Sequence, residues 1–305
     1  MEYVEARRAA IEQRITEAVG GVEPTELGDQ LEHVVLAGGK RVRPTLTVLV
    51  CEAAGGAVWT GADEAAAVRE NATLSAGGED ALDYAVGVEL VHNASLVVDD
   101  IIDRSELRRG SASAWAEYGY GPGIVASDGL LGEAFALFSR DPRAMECVTD
   151  SLVELGEGEA IELVARPETE REYMELARRK TGALFRAAAE LGAIAADADG
   201  RAVERFGEYA ERVGVAFQIR DDVLDATADS DALGKPAGVD EALDRPSIVQ
   251  VTDRSPDALN RLAGEQSERA LGALAELELA ELELPDGEAK DYLQYLAEFV
   301  VERDA

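Results

Sequence analysis

Asp99-Asp100-Ile101-Ile102-Asp103 and Asp221-Asp222-Val223-Leu224-Asp225 are two copies of one pattern: a carboxylate pair followed one helical turn later by a third carboxylate. At about 100° per residue, helix positions i, i+1 and i+4 fall within an arc of about 100°. Each triplet therefore presents its carboxylates on one face and turns the apolar residues between them inward. Two such faces pointing at each other would make a cage for hard divalent cations. Mg2+ takes one or two carboxylates, substrate phosphates and several waters, so the natural third party is a diphosphate. The chain is acidic throughout, with 62 Asp plus Glu against 29 Lys plus Arg, and a single triplet could be a solvated helix face. Two copies, each inside an apolar run, are not what scattered surface charge produces.

The lysines narrow the chemistry. There are four, Lys40, Lys180, Lys235 and Lys290, and every other basic residue is arginine. A chain that nearly avoids lysine keeps it where a compact, mobile ammonium is needed, and phosphate is the usual reason. Three of the four stand in distinctive settings: Gly38-Gly39-Lys40-Arg41-Val42-Arg43-Pro44, Lys180-Thr181-Gly182 and Gly234-Lys235-Pro236. Arg108-Arg109-Gly110 follows the first triplet, two forked donors beside a residue that lets the backbone come close. His92 lies two turns before Asp99 and shares its face.

Composition bounds the rest. A chain of 305 residues with 47% hydrophobic content can bury a substantial core. A net charge of −33 excludes a nucleic-acid-binding surface, which must be basic. It fits the cytosol of a halophile, where carboxylates maintain solubility and near 1 M salt the Debye length is only about 3 Å. Cys51 and Cys147 lack metal-binding spacing and read as reduced core thiols. The charged N-terminus has no apolar signal core, and no apolar run reaches a membrane span. A soluble, cytoplasmic protein is expected.

The elements that must position these residues are helical. Pro44 reads as a first-turn proline of a helix stopping at Gly55-Gly56. Residues 55–80 read as a connection and 81–103 as a long apolar helix ending in the first triplet. Residues 104–123 read as a loop or short helices, with a break at Gly119-Tyr120-Gly121-Pro122-Gly123 before a helix through Phe138. Further helices are expected over 143–164, 171–196, 199–227, 255–282 and 285–303, with a polar loop over 228–246. No alternating strand pattern is visible, so the expectation is one all-α domain over 1–305.

Taken in order, Gly-Gly-Lys-Arg-x-Arg-Pro, Glu-Leu-x-His, Asp-Asp-x-x-Asp, Arg-Arg-Gly, Lys-Thr, Phe-Gln-x-x-Asp-Asp-x-x-Asp and Gly-Lys resemble the trans-isoprenyl diphosphate synthases, or polyprenyl synthetase family. The resemblance runs from about residue 31 to about residue 250. It implies a single large helical bundle around a central cavity, usually a homodimer, that joins isopentenyl diphosphate head to tail to an allylic diphosphate with Mg2+, three ions with the bound diphosphate. It implies Asp99, Asp103 and Asp221 as metal ligands, with Asp100, Asp222, Asp225 and Asp240 as water-mediated or supporting partners. Arg108, Lys180 and Lys235 would hold the allylic diphosphate. Lys40, Arg43, His92 and Arg109 would hold isopentenyl diphosphate, with Arg41 beside them. Thr181 and Gln218 would flank the reacting tails. The expected catalytic set is Asp99, Asp100, Asp103, Arg108, Lys180, Asp221 and Lys235.

The chain departs from the family pattern at Val98, commonly His; at Ser127 before Asp128, commonly Gly; at Glu159 after Gly158, commonly Gln; and at Arg245, commonly Lys. In the family, bulky aromatics four or five residues before the first Asp stop chain growth early. Ser95 and Ala94 are small, which implies a deeper floor, at Phe135 or Phe138, and geranylgeranyl diphosphate as the product, with farnesyl and longer products open. Two rival readings follow from the same residues. A class I terpene cyclase shares the first triplet but usually carries an Asn/Ser/Glu motif at the second. A non-catalytic partner subunit typically loses the triplets.

Overall fold

The structure, a computed structural model, describes residues 2–59, 74–227, 245–279 and 287–302. Lys235 and Asp240 lie outside them. The fold is all-α. Among the described residues the only ladder is a hairpin of two-residue strands, β1 (Leu107–Arg108) and β2 (Ser111–Ala112). Strands this short cannot display a period-two pattern. The hairpin was legible only in its turn, where Arg109 and Gly110 both take positive φ, 52° and 83°, as a two-residue type I′ connection requires. Gly110 is thus a turn residue.

The chain contacts group into two compact units, Met1–Glu146 with Leu191–Ala198, and Cys147–Glu190 with Asp199–Ala305. In the first unit α1 (Glu2–Val19), α2 (Thr25–Leu36) and α3 (Val42–Ala53) pack around α4 (Ala76–Asp103). Short α5 (Ala114–Tyr118) and α6 (Tyr120–Phe138) follow. Residues 81–91 of α4 are buried on every side, as expected of a helix apolar all round. The helix begins five residues before the expected 81. Ser75 caps it by accepting from the Gly78 N–H at 2.9 Å. Gly77 and Gly78, which made the segment look like a connection, allow the backbones of Ala195 and Val58 to come close. Likewise α6 starts at Tyr120, so Gly121, Pro122 and Gly123 form its first turn, where proline is tolerated.

Phe138 is fully buried and its ring lies on Gly87, where a Cβ would collide with it. It is core packing. The core also holds an ion pair. Arg7, 0% exposed, donates Nε and Nη2 to Glu52 at 3.0 and 2.7 Å, and Tyr3 donates its hydroxyl to the same carboxylate. Breaking such a buried pair costs about 3–5 kcal/mol. Glu52→Ala should therefore lower the denaturant midpoint clearly in high KCl; a midpoint within error of the parent would show that the pair is not holding α1 on α3.

α7 (Pro142–Ala160) starts in the first unit and, in the second, enters a π-turn at Ile161–Ala165; α8 (Glu170–Ala177) enters another at Arg178–Gly182 before α9 (Ala183–Ala195), whose last turn falls in the first unit. Thr169 and Glu172 form a reciprocal capping box at the start of α8. The long α10 (Gly200–Thr227) packs on α12 (Pro256–Leu279), with α11 (Ile248–Val251) and α13 (Glu288–Glu302) beside it. Tyr173, Val215, Ile219, Val223, Ile248 and Leu259 form one buried cluster there. The expected helices over 143–164, 171–196 and 199–227 fall within a few residues of the observed bounds, π-turns included, whereas α1, α2 and α11 were not expected. Both cysteines are free thiols. No described helix is long and apolar enough to cross a membrane.

Candidate active site

Each acidic triplet closes the C-terminal end of a long helix, α4 in the first unit and α10 in the second. Within each, the three carboxylates differ. Asp99, Asp103 and Asp221 are half-buried, whereas Asp100, Asp222 and Asp225 are only 3%, 4% and 4% exposed. Asp100 accepts from Arg108 Nε at 2.9 Å and from its Nη2. Asp222 is saturated: Tyr173 donates its hydroxyl at 2.6 Å, the Ile248 N–H donates at 2.8 Å and Gln218 Nε2 at 2.9 Å. The middle carboxylate of each triplet thus anchors protein groups, while its neighbour stays more accessible.

Around the first triplet the hairpin and the Gly38-Gly39 turn bring cations together. Arg109 Nη1 donates to the Gly38 carbonyl, and a Cβ on Gly39 would meet the Arg109 guanidinium at 2.8 Å. Gly38 and Gly39 take φ of 88° and 131°, conformations that favour glycine. Lys40 is exposed next to them. Arg43 Nη1 donates to His92 Nε2 at 3.3 Å. Burial is the main cause pushing Arg43 down to about 10, with Glu89 opposing it and Arg109 adding to it; it is still a cation at neutral pH. His92 is pushed well below the usual imidazole range, first by burial and then by Arg43, Arg109, Arg108 and Arg41. It is therefore neutral, with Nε2 accepting from Arg43 and its proton on Nδ1.

Arg41 is turned inward. It is 4% exposed and donates to Glu89 Oε1 at 2.5 Å and the Val35 carbonyl at 2.6 Å, while Asn93 Nδ2 donates to the same Glu89 oxygen at 3.1 Å. Arg41 caps α3 at φ 52° and so fixes where Lys40 and Arg43 stand on either side of it. Glu89 opens the Glu-Leu-x-His motif but had no role assigned from sequence, although a carboxylate inside an apolar run needs a buried cation. His33 donates Nε2 to the Ala112 carbonyl at 2.8 Å and holds the hairpin down. Beneath the hairpin a small cavity of about 20 Å3 is lined by His33, Asn93, Val97, Asp100, Arg108 and Arg109.

In the second unit Lys180 sits in the π-turn at Arg178–Gly182. Its ammonium donates to Glu159, 3.2 Å from Oε1, and to Glu162. Gly158 makes this approach possible, because a Cβ there would meet the Lys180 backbone nitrogen at 2.7 Å. Thr181 Oγ1 donates to Gln218 Oε1 at 2.7 Å, so one chain of hydrogen bonds runs Thr181–Gln218–Asp222–Tyr173. Tyr173 is the residue of this network that sequence reasoning missed.

Among the described residues no three His, Cys, Asp or Glu side chains converge as a ready-made metal site. The donor set fits Mg2+ all the same. Asp99 and Asp103 are hard oxygen donors one turn apart, their neighbour Asp100 is committed to Arg108, and Mg2+ needs only one or two carboxylates when phosphate oxygens complete its shell.

The polyprenyl synthetase family model matches residues 24–274. The chain is 32% identical over 250 residues to the geranylgeranyl diphosphate synthase of Methanosarcina mazei, covering 79% of this chain and 71% of that one. It is 30% identical to the geranylfarnesyl diphosphate synthase of Natronomonas pharaonis, covering 97% and 96%. The fold is similar, at a TM-score of 0.82 and 26% identity, to that of a polyprenyl synthase from Caulobacter crescentus solved with calcium and isoprenyl diphosphate, covering 99% and 96%. The chain belongs to the polyprenyl synthetase family and is a prenyltransferase.

Proposed function

We propose that this prenyltransferase joins isopentenyl diphosphate head to tail to an allylic diphosphate, with Mg2+, and releases a short-chain product, geranylgeranyl diphosphate. The observation that carries the reading is the division of labour inside each triplet. Asp99, Asp103 and Asp221 stay accessible while Asp100 and Asp222 are spent on Arg108, Tyr173, Gln218 and the Ile248 N–H. The names of the two relatives support a diphosphate-forming condensation, and the calcium in the Caulobacter structure supports a divalent cation beside the diphosphate.

In this reading Asp99, Asp103 and Asp221 would hold Mg2+, which supplies positive charge to a departing diphosphate when bound. Arg108, Lys180 and Lys235 hold the allylic diphosphate and stabilise the charge that builds as its carbon–oxygen bond breaks. Lys40, Arg43 and Arg109 hold isopentenyl diphosphate, with neutral His92 orienting Arg43. The double bond of isopentenyl diphosphate forms the new carbon–carbon bond, and the proton then lost goes to an oxygen of the released diphosphate. No protein base is required, and neutral His92, held by a cation, is poorly placed to be one. A homodimer and a cytoplasmic location belong to the proposal. Tyr120, Ile124 and Val125 on α6 are each about half exposed, apolar area that a second copy would cover.

The test is condensation of isopentenyl diphosphate with each allylic primer in high KCl, with and without Mg2+. Product should form only with the metal. In the same assay Lys40→Ala and Arg43→Ala should raise KM for isopentenyl diphosphate, and Arg108→Ala and Lys180→Ala that for the allylic primer, each by about tenfold or more. Equal effects of all four on both substrates would sink the assignment.

A further inference from the structure

The β1–β2 hairpin carries Arg108 and Arg109 but has little of its own to hold it. Its strands are two residues long, and a two-stranded hairpin is marginal without outside support. Leu107 is 69% exposed and a small cavity lies beneath the hairpin, so packing alone does not fix its position. Polar contacts do. At its base the Ser105 carbonyl accepts from Ser113 Oγ at 2.7 Å and from Trp115 Nε1 at 2.9 Å. In β2, Ala112 faces Leu107, between the Arg108–Ser111 pair that closes the turn and the bond from the Ser113 N–H to the Glu106 carbonyl. Bonded and non-bonded pairs alternate along an antiparallel ladder, so the Ala112 carbonyl points away from β1. His33 Nε2 meets that carbonyl at 2.8 Å, and its ring makes a T-shaped contact with Tyr118 at 5.4 Å between centroids.

The two arginines depend on this bond differently. Arg108 donates to the buried Asp100, so α4 fixes it. Arg109 reaches the Gly38 carbonyl, in the two-glycine turn that follows α2. His33 stands in the last turn of α2, just ahead of Gly38. It therefore sets the distance between the hairpin and that turn, and with it the spacing of Arg109 and Lys40. We infer that His33 is a positioning residue for capture of isopentenyl diphosphate: its hydrogen bond to β2 sets Arg109 against Lys40 so that both reach one diphosphate. The inference rests on the reading of Arg109 and Lys40 as ligands of that substrate. Without the bond β2 shifts over the cavity and Arg109 loses its match to Lys40, while Arg108 stays on Asp100. The loss falls on one substrate.

The experiment uses the full chain with Mg2+ in high KCl and measures kcat, KM for both substrates and the melting temperature. His33→Phe keeps a ring against Tyr118 and removes the donor. His33→Gln removes the ring and keeps an N–H near the place of Nε2. His33→Phe should raise KM for isopentenyl diphosphate about threefold to tenfold, the span of one hydrogen bond. Its kcat and allylic KM should stay within about twofold of the parent. His33→Gln should bring KM for isopentenyl diphosphate back to within about twofold of the parent. Because His33 acts through Arg109, adding His33→Phe to Arg109→Ala should raise that KM no further. If His33→Phe does not fold, His33→Asn, whose amide is too short to reach Ala112, takes its place. A lower melting temperature with unchanged KM marks a structural role and overturns the inference. Equal rises for both substrates, no rescue by His33→Gln, or additive effects in the double variant overturn it as well. Arg109→Ala by itself separates the two levels. If it raises KM for isopentenyl diphosphate while His33→Phe does nothing, the role of His33 alone falls. If it leaves that KM unchanged, the assignment of Arg109 falls and takes the inference with it.

Discussion

Asp99→Ala and Asp221→Ala are each expected to lower kcat by at least about a hundredfold, the usual cost of removing one preorganised group from a centre of developing charge. Helicity in high KCl should be unchanged, because both residues are half-buried at the ends of long helices that are fixed by other contacts. The neighbours should behave differently. Asp100→Asn loosens Arg108, and Asp222→Asn disturbs the hydrogen bonds from Tyr173, Gln218 and the Ile248 N–H. Activity should fall in these too, but together with a lower unfolding midpoint, since a buried group left badly partnered costs stability. Stopped-turnover assays with thermal melts of all four variants separate the cases. Near-normal kcat in Asp99→Ala or Asp221→Ala would falsify the metal-cage reading.

The contrast between adjacent aspartates shows what sequence carries and what it does not. The carboxylate spacing fixes that i, i+1 and i+4 share a helical face, so both triplets and the helices bearing them were legible. Which aspartate of each pair is buried against protein groups is decided by elements outside the helix that bears it. Arg108 reaches Asp100 from a hairpin too short to show alternation, and Tyr173 reaches Asp222 from a helix 49 residues earlier. Both π-turns were invisible for a similar reason: they interrupt continuous helical patterns. Arg41 shows the same dependence on a partner far along the chain. Its place in a basic motif pointed to phosphate, yet the buried Glu89 claims its guanidinium. The part of the allylic site expected at Lys235 and Asp240 falls outside the described residues.

Chain length should respond most to Ser95. It lies one turn before Asp99 on α4, so its side chain projects from the same face as the carboxylate, and it is half-buried. Its hydroxyl turns back to the His92 carbonyl at 2.8 Å, leaving little side chain beyond the helix surface. Ala94, the other small residue before the triplet, is 1% exposed, and its carbonyl accepts the Ser127 hydroxyl from α6 at 3.1 Å. The two positions therefore separate. Ser95→Phe would set an aromatic ring beneath Asp99, across the path of a tail growing away from the diphosphate, and should shorten the main product by at least one isoprene unit while turnover survives. Ala94→Phe must also force a ring into a packed interior, which typically costs about 1–3 kcal/mol, so its shortened product should come with a lower melting temperature. Chromatography of the dephosphorylated products from parent and both variants decides the matter. If Ser95→Phe and parent give the same length distribution, the tail does not run along this face of α4, and the small residues before the triplet are packing alone.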